Sequence, residues 1–126
     1  AGVQIWTGTS SSSNTWTFAS TGALVTSLAG VSFGTSATTI DSFAIATYRT
    51  AKYVVSVANG ADYQAAELLV THNGTTAYIT AYAVISSTGS PFVTFSATIS
   101  GGSLLVQATG TAAGNTAKVQ PSYIVV

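Results

Sequence analysis

Cysteine and methionine are missing altogether from this 126-residue chain, and ionised side chains nearly so. Without cysteine there is no disulfide framework, no thiolate metal site and no sulfur nucleophile. The compartment stays open, because a cysteine-free chain is equally sound in either redox state. The ionised residues are Asp41, Arg49, Lys52, Asp62, Glu67 and Lys118, only 5% of the chain, against about 25% in an ordinary soluble domain. Net charge is zero, which excludes the basic footprint that nucleic acid requires. No apolar run reaches 18 residues, so no helical membrane insertion is expected. The chain opens at Ala1 with neither Met nor a signal-peptide pattern, as expected of a processed end or a fragment of something longer.

Serine and threonine carry the polar load instead, at roughly three residues in ten. A surface of hydroxyls and methyls has little charge to hold copies apart, and suits an assembly in which neighbours cover it. The length is sufficient for one domain that buries about two-thirds of its unfolded surface without covalent staples.

Helix signals are almost absent. Val, Ile, Thr, Tyr and Phe fall in short runs divided by Gly, Asn and Ser, which is strand chemistry. Asn73-Gly74 is a two-residue hairpin signal. Pairing outward from it sets His72 against Thr75, Val70 against Ala77 and Leu68 against Ile79 on a core face. Glu67, Leu69, Thr71, Tyr78, Thr80 and Tyr82 then fall on the other face. Gly101-Gly102 likewise sets Ile99 against Leu104, Ala97 against Val106 and Phe95 against Ala108. The reverse side there is polar, with Ser96, Thr98, Ser100, Ser103 and Gln107, broken only by Leu105.

A strand over 52–57 is expected to return through 59–62 and place Val54 against Leu69, near Tyr78. The last strand, 117–126, contains Pro121, which marks an edge or a bulge. With strands over 40–48 and 90–99, about seven strands are expected from residue 36 onward. The fold class is therefore all-β, an antiparallel β-sandwich or jelly-roll-like domain over 35–126. Residues 1–34 read as a Gly/Ser-interrupted, β-rich lead-in carrying Trp6, Trp16 and Phe18. Such a segment cannot bury two indoles alone, so it must lie against the main domain or against other chains.

Catalysis finds little to work with. Paired-carboxylate chemistry needs two acids at a set spacing. Of the three acids, Asp62 sits in an expected turn and Glu67 on the outer face near Lys52. His72, the lone histidine, flanks a turn and has no GxSxG nucleophile elbow with it. No metal-ligand cluster, GxGxxG or phosphate loop exists, so no cofactor or metal is expected and the chain reads as a non-enzyme. The positive signal is the patch Val54, Leu69, Tyr78 and Tyr82. Apolar groups on a face that should be wet mark either a partner surface or a second sheet packed over it.

Three stretches carry a family resemblance: Thr39-Ile40-Asp41-Ser42-Phe43, Thr47-Tyr48-Arg49-Thr50-Ala51-Lys52-Tyr53, and Glu67 through Tyr78 with its His72-Asn73-Gly74-Thr75 centre. Together with the Ile99-Ser100-Gly101-Gly102 hairpin and the upstream Asn14-Thr15-Trp16-Thr17-Phe18, they resemble a module of virion structural and tail-fibre proteins of tailed phages, notably cyanophages. The hairpin tip and last strand are less charged here than in that family. The resemblance implies a non-enzymatic component of the virion, with a homotrimer favoured and contacts to other virion proteins. Host-surface polysaccharide is a further implied ligand, through exposed aromatics. A capsid decoration or neck connector protein is the alternative place in the particle.

Overall fold

The computed structural model describes residues 28–126. Eight strands form: β1 (Val31–Phe33), β2 (Thr38–Ala44), β3 (Tyr48–Asn59), β4 (Asp62–His72), β5 (Ala77–Ser86), β6 (Val93–Ser100), β7 (Ser103–Gly110) and β8 (Asn115–Val125). They make two antiparallel sheets, one ordered β1-β8-β3-β4-β5 and the other β2-β7-β6. Seven strands follow residue 36, as expected. Val31–Phe33, within the stretch read as lead-in, pairs with Ala117, Thr116 and Asn115 of β8.

The core follows from period-two alternation. Ala51, Tyr53, Val55 and Val57 of β3, with Leu68 and Val70 of β4, turn inward from the larger sheet. They meet Ile40, Phe43, Leu104, Val106 and Ala108 of the smaller one. Each of these is nearly or completely buried.

The turns decide how well registers can be read. Gly101 and Gly102 both have positive φ, 58° and 81°, and the expected pairs Ile99–Leu104, Ala97–Val106 and Phe95–Ala108 all form. The loop at Asn73-Gly74 differs. It holds four residues, and His72 pairs with Ala77, Val70 with Ile79 and Leu68 with Ala81. The Asn73 side-chain oxygen accepts from the Thr75 and Thr76 backbone N–H groups and from the Thr75 hydroxyl, which holds the wider loop. The slip is two residues, so each side chain keeps its expected face while changing its partner. By the same margin Val54 pairs with Glu67 and Leu69 with Lys52, rather than Val54 with Leu69.

The expected strand over 40–48 is two. Ile45–Thr47 form a turn between β2 and β3, closed by Thr47 N–H donating to the Ala44 carbonyl, and the chain crosses from one sheet to the other there. Pro121 stands where β8 has lost β1 as a neighbour, since that pairing covers only residues 115–117. Its missing N–H therefore breaks no ladder bond on that side.

Candidate functional site

The two outer faces of the sandwich are unlike. On the smaller sheet, β6 presents Thr94, Ser96, Thr98 and Ser100, all exposed, a hydroxyl surface. The larger sheet presents Val54, Leu69, Tyr78 and Tyr82, at 47%, 45%, 51% and 39% exposure. The second sheet covers the opposite side of β3 and β4, so these four point away from the core. Trp6, Trp16 and Phe18, named with them from the sequence, lie outside the described residues.

Two further residues join the patch. Tyr63, next to Ala58 across the β3–β4 ladder, is 56% exposed, and Ile85 is 69% exposed. Ile85 reaches this face through a bulge. Glu67 pairs with Tyr82 and Ala65 with Ile85, so two residues, Ala83 and Val84, oppose Ala66 alone. Ala83 takes φ 53° to make the bend, in a region that L-residues enter at a cost. The extra residue turns Tyr82 and Ile85, three apart, to the same side. Strict alternation hides this, because it assigns them to opposite faces.

At the centre of the patch Lys52 Nζ lies 3.2 Å from Glu67 Oε1. Their mutual hydrogen bond, then their opposite charges, raise the Lys52 amine; Tyr82 adds to this. The same hydrogen bond, followed by one from Tyr82, lowers the Glu67 carboxyl. The pair thus satisfies itself diagonally across β3 and β4 within an apolar surround.

The residues screened from the sequence for catalysis are occupied otherwise. His72 is buried, its Nδ1 accepting from the Gly74 N–H and its Nε2 2.7 Å from the Tyr48 carbonyl. The Nε2–H tautomer, assigned from this network, satisfies both contacts. The Arg49 guanidinium donates to the His72 carbonyl. Asp41 comes to the core side through the register shift between Thr39 and Asp41 and accepts from the Tyr123 hydroxyl. The Tyr53 hydroxyl beside it is buried without a hydrogen-bond partner. Burial first, and the Asp41 carboxylate second, push the Tyr53 phenol up; burial and the Asp41 hydrogen bond do the same to Tyr123. This is an inter-sheet clasp, fastening β2 to β8. Among the described residues no group of three His, Asp or Glu could hold a metal. One open depression is lined by Ser32, Phe33, Gly34 and Ala113 through Thr116, and no titratable side chain stands in it.

No family model and no curated protein matches the chain. Among solved structures, the tailspike protein of an Acinetobacter phage is similar, with TM-score 0.45 and 24% identity. The match covers 78% of this chain and 20% of the tailspike, so the chain spans about a fifth of that protein's length.

Proposed function

We propose that the chain is a non-enzymatic structural module of a tailed-phage virion, a fibre-type domain that associates with copies of itself and adheres to host-surface polysaccharide. The observation that carries this reading is the outer face of the larger sheet. Its middle is apolar, with Val54 and Leu69 flanking a self-satisfied Lys52–Glu67 pair. Such a surface can be covered by another copy without stranding a charge. Along its β4–β5 margin Tyr63, Tyr82 and Tyr78 present exposed rings, and phenol rings suit the apolar faces of sugars. The phage setting is supported by the sequence resemblance through residues 39–53, 67–78 and 99–102.

Sedimentation of the full chain tests the association, with a trimer expected. Leu69→Lys places an extra cation in the apolar middle and should dissociate the assembly. A wild-type monomer at high concentration would end the self-association reading. Binding to purified host polysaccharide tests the rings, and Tyr63→Ala with Tyr82→Ala should remove it. An intact oligomer that binds no polysaccharide would favour the capsid-decoration or neck-connector role instead.

A further inference from the structure

Five strands lie over three, and the excess leaves one flank open. β5 ends the larger sheet and β6 the smaller, at the same side of the sandwich. Ala81, at an inward position of β5, is exposed there, and Phe95, Ala97 and Ile99 of β6 are only half-buried although they alternate inward. β6 bonds to β7 alone, so its other edge carries backbone groups that belong to no ladder. The hairpin fixes which groups these are. Ser100 and Ser103 close the two-residue turn, and at the far end the Thr111 N–H donates to the Phe92 carbonyl. Both are hydrogen-bonded positions, so the even-numbered residues of β6 turn toward β7 and the odd-numbered ones toward the open edge. Val93 is already capped. Its N–H donates to Gln64 Oε1 at 3.0 Å, and its carbonyl accepts from Gln64 Nε2 at 2.9 Å. Among the described residues nothing bonds the outward N–H and C=O groups of Phe95, Ala97 and Ile99.

We infer that β6 of a second copy docks on this edge, antiparallel and about a two-fold axis through Ala97, so that the two smaller sheets become one. The open positions are symmetric about Ala97, as a strand needs if it is to pair with itself. In the register centred there, Ala97 bonds the partner's Ala97 and Phe95 bonds the partner's Ile99, and every open group is used. A register displaced by two residues fails. It sets either the capped Val93 against the partner's Ile99, or Phe95 against the partner's Gly101 in the turn. The side chains agree with the centred register. On the inner face Phe95 lies beside the partner's Ile99, an aromatic with a β-branched group, and the small Ala97 side chains meet at the axis. On the outer face Ser96 lies beside the partner's Thr98, hydroxyl to hydroxyl. Nothing on the strand opposes the approach, since β6 has no charge, no proline and no bulge, the usual protections of an edge. This contact goes beyond the association of outer faces and shares no residue with it. One strand from each copy is smaller than a standard interface, so the pairing should need high protein concentration.

Leu69→Lys separates the two contacts, because it acts on the outer face alone. With rising concentration, the full chain carrying it should pass from monomer to dimer in sedimentation. If outer faces do not associate, the wild-type chain should show the same dimer, so the two readings fail separately. Amide hydrogen exchange at Phe95, Ala97 and Ile99 should slow several-fold in the dimer, while Val93, Thr94, Ser96 and Thr98 exchange alike in both states. Ser96→Lys with Thr98→Lys sets like charges against one another across the axis and should raise the dimer dissociation constant roughly tenfold. Ser96→Lys with Thr98→Glu sets opposite charges together and should restore it. Both positions are exposed, and circular dichroism checks that each variant is folded. A chain that stays monomeric at the highest concentration overturns the inference. So does a dimer whose three edge amides exchange as fast as in the monomer, or one that the two double variants affect equally. Slow exchange of those amides already in the monomer would also overturn it, because the cover would then come from the same chain.

Discussion

Gln64 is a polar side chain at an inward position, and replacing it tests how the two sheets are tied. It is 2% exposed. Its side-chain oxygen accepts from the Phe92 and Val93 backbone N–H groups at 2.7 and 3.0 Å, and its amide donates to the Val93 carbonyl at 2.9 Å. β4 thereby holds the start of β6, the strand through which the smaller sheet ends at the open flank. Gln64→Leu nearly conserves volume, so the loss is polar. Three backbone groups would be orphaned at about 1–3 kcal/mol each when fully dry. Phe92 is only half-buried and water can reach part of the gap, so the expected total is about 3–5 kcal/mol. That is a large share of a typical domain stability of about 5–15 kcal/mol. In urea titration the midpoint should fall by roughly 2 M with the slope unchanged, taking a slope of about 2 kcal/mol per M. Gln107→Leu, on the outer face of β7, is the control and should change stability by less than about 0.5 kcal/mol. If Gln64→Leu falls within about 1 kcal/mol of wild type, the bonds are not what joins β4 to β6.

Tyr53→Phe removes a buried hydroxyl that has no hydrogen-bond partner, so thermal unfolding should find it neutral or slightly stabilising. It should also alter the alkaline limb. The Tyr53 phenol is raised in the folded state, so it stays protonated there while the unfolded chain loses that proton above about pH 10. Stability then falls with rising pH, by about 1.4 kcal/mol per pH unit for this one group, and denaturant titrations between pH 9 and 11 should show Tyr53→Phe with the shallower decline. Gly110→Ala places a Cβ 2.2 Å from Asn115 Nδ2 and 2.9 Å from the Ala112 carbonyl oxygen. It must dislodge the buried Asn115 amide that bonds Ala112 and Phe33, at about 2–4 kcal/mol by calorimetry. His72→Ala opens a space under the 73–76 loop and strands the Tyr48 carbonyl. It should cost about 2–3 kcal/mol of stability, while polysaccharide binding measured on the folded fraction stays at the wild-type level.

Faces were legible in the sequence; partners were legible only where the turn was short. The alternation of Leu68, Val70 and His72 put these three inside, and all three are buried. At Gly101-Gly102 the glycines force a two-residue turn, and the register follows from it. At Asn73-Gly74 the same arithmetic was off by two, because the Asn73 oxygen captures Thr75 and Thr76 and widens the loop. Alternation also could not show the two bulges. One moved Asp41 to the core side and the other brought Ile85 to the face of Tyr82. Bulges are set by what the strand must pack against, and that is nonlocal.

The scarcity of charge becomes more pointed once each charge has a place. Asp41 is drawn inward to Tyr123, Lys52 and Glu67 bond one another, and Arg49 donates to the His72 carbonyl. That leaves Asp62 and Lys118 as the ionised groups with no such bond among the described residues. Asp62 opens β4 at its turn, and Lys118 stands on β8, two strands from Leu69. No free charge therefore lies on β4 or β5 between Tyr63 and Tyr78, where solvation would otherwise oppose a covering partner. Both a second protein surface and an uncharged sugar chain can displace water from such a strip without breaking an ion pair, and the hydroxyl-coated sheet opposite offers no comparable gain. Association directed by this asymmetry would be one-sided, fixing which face of the sandwich turns toward its neighbour.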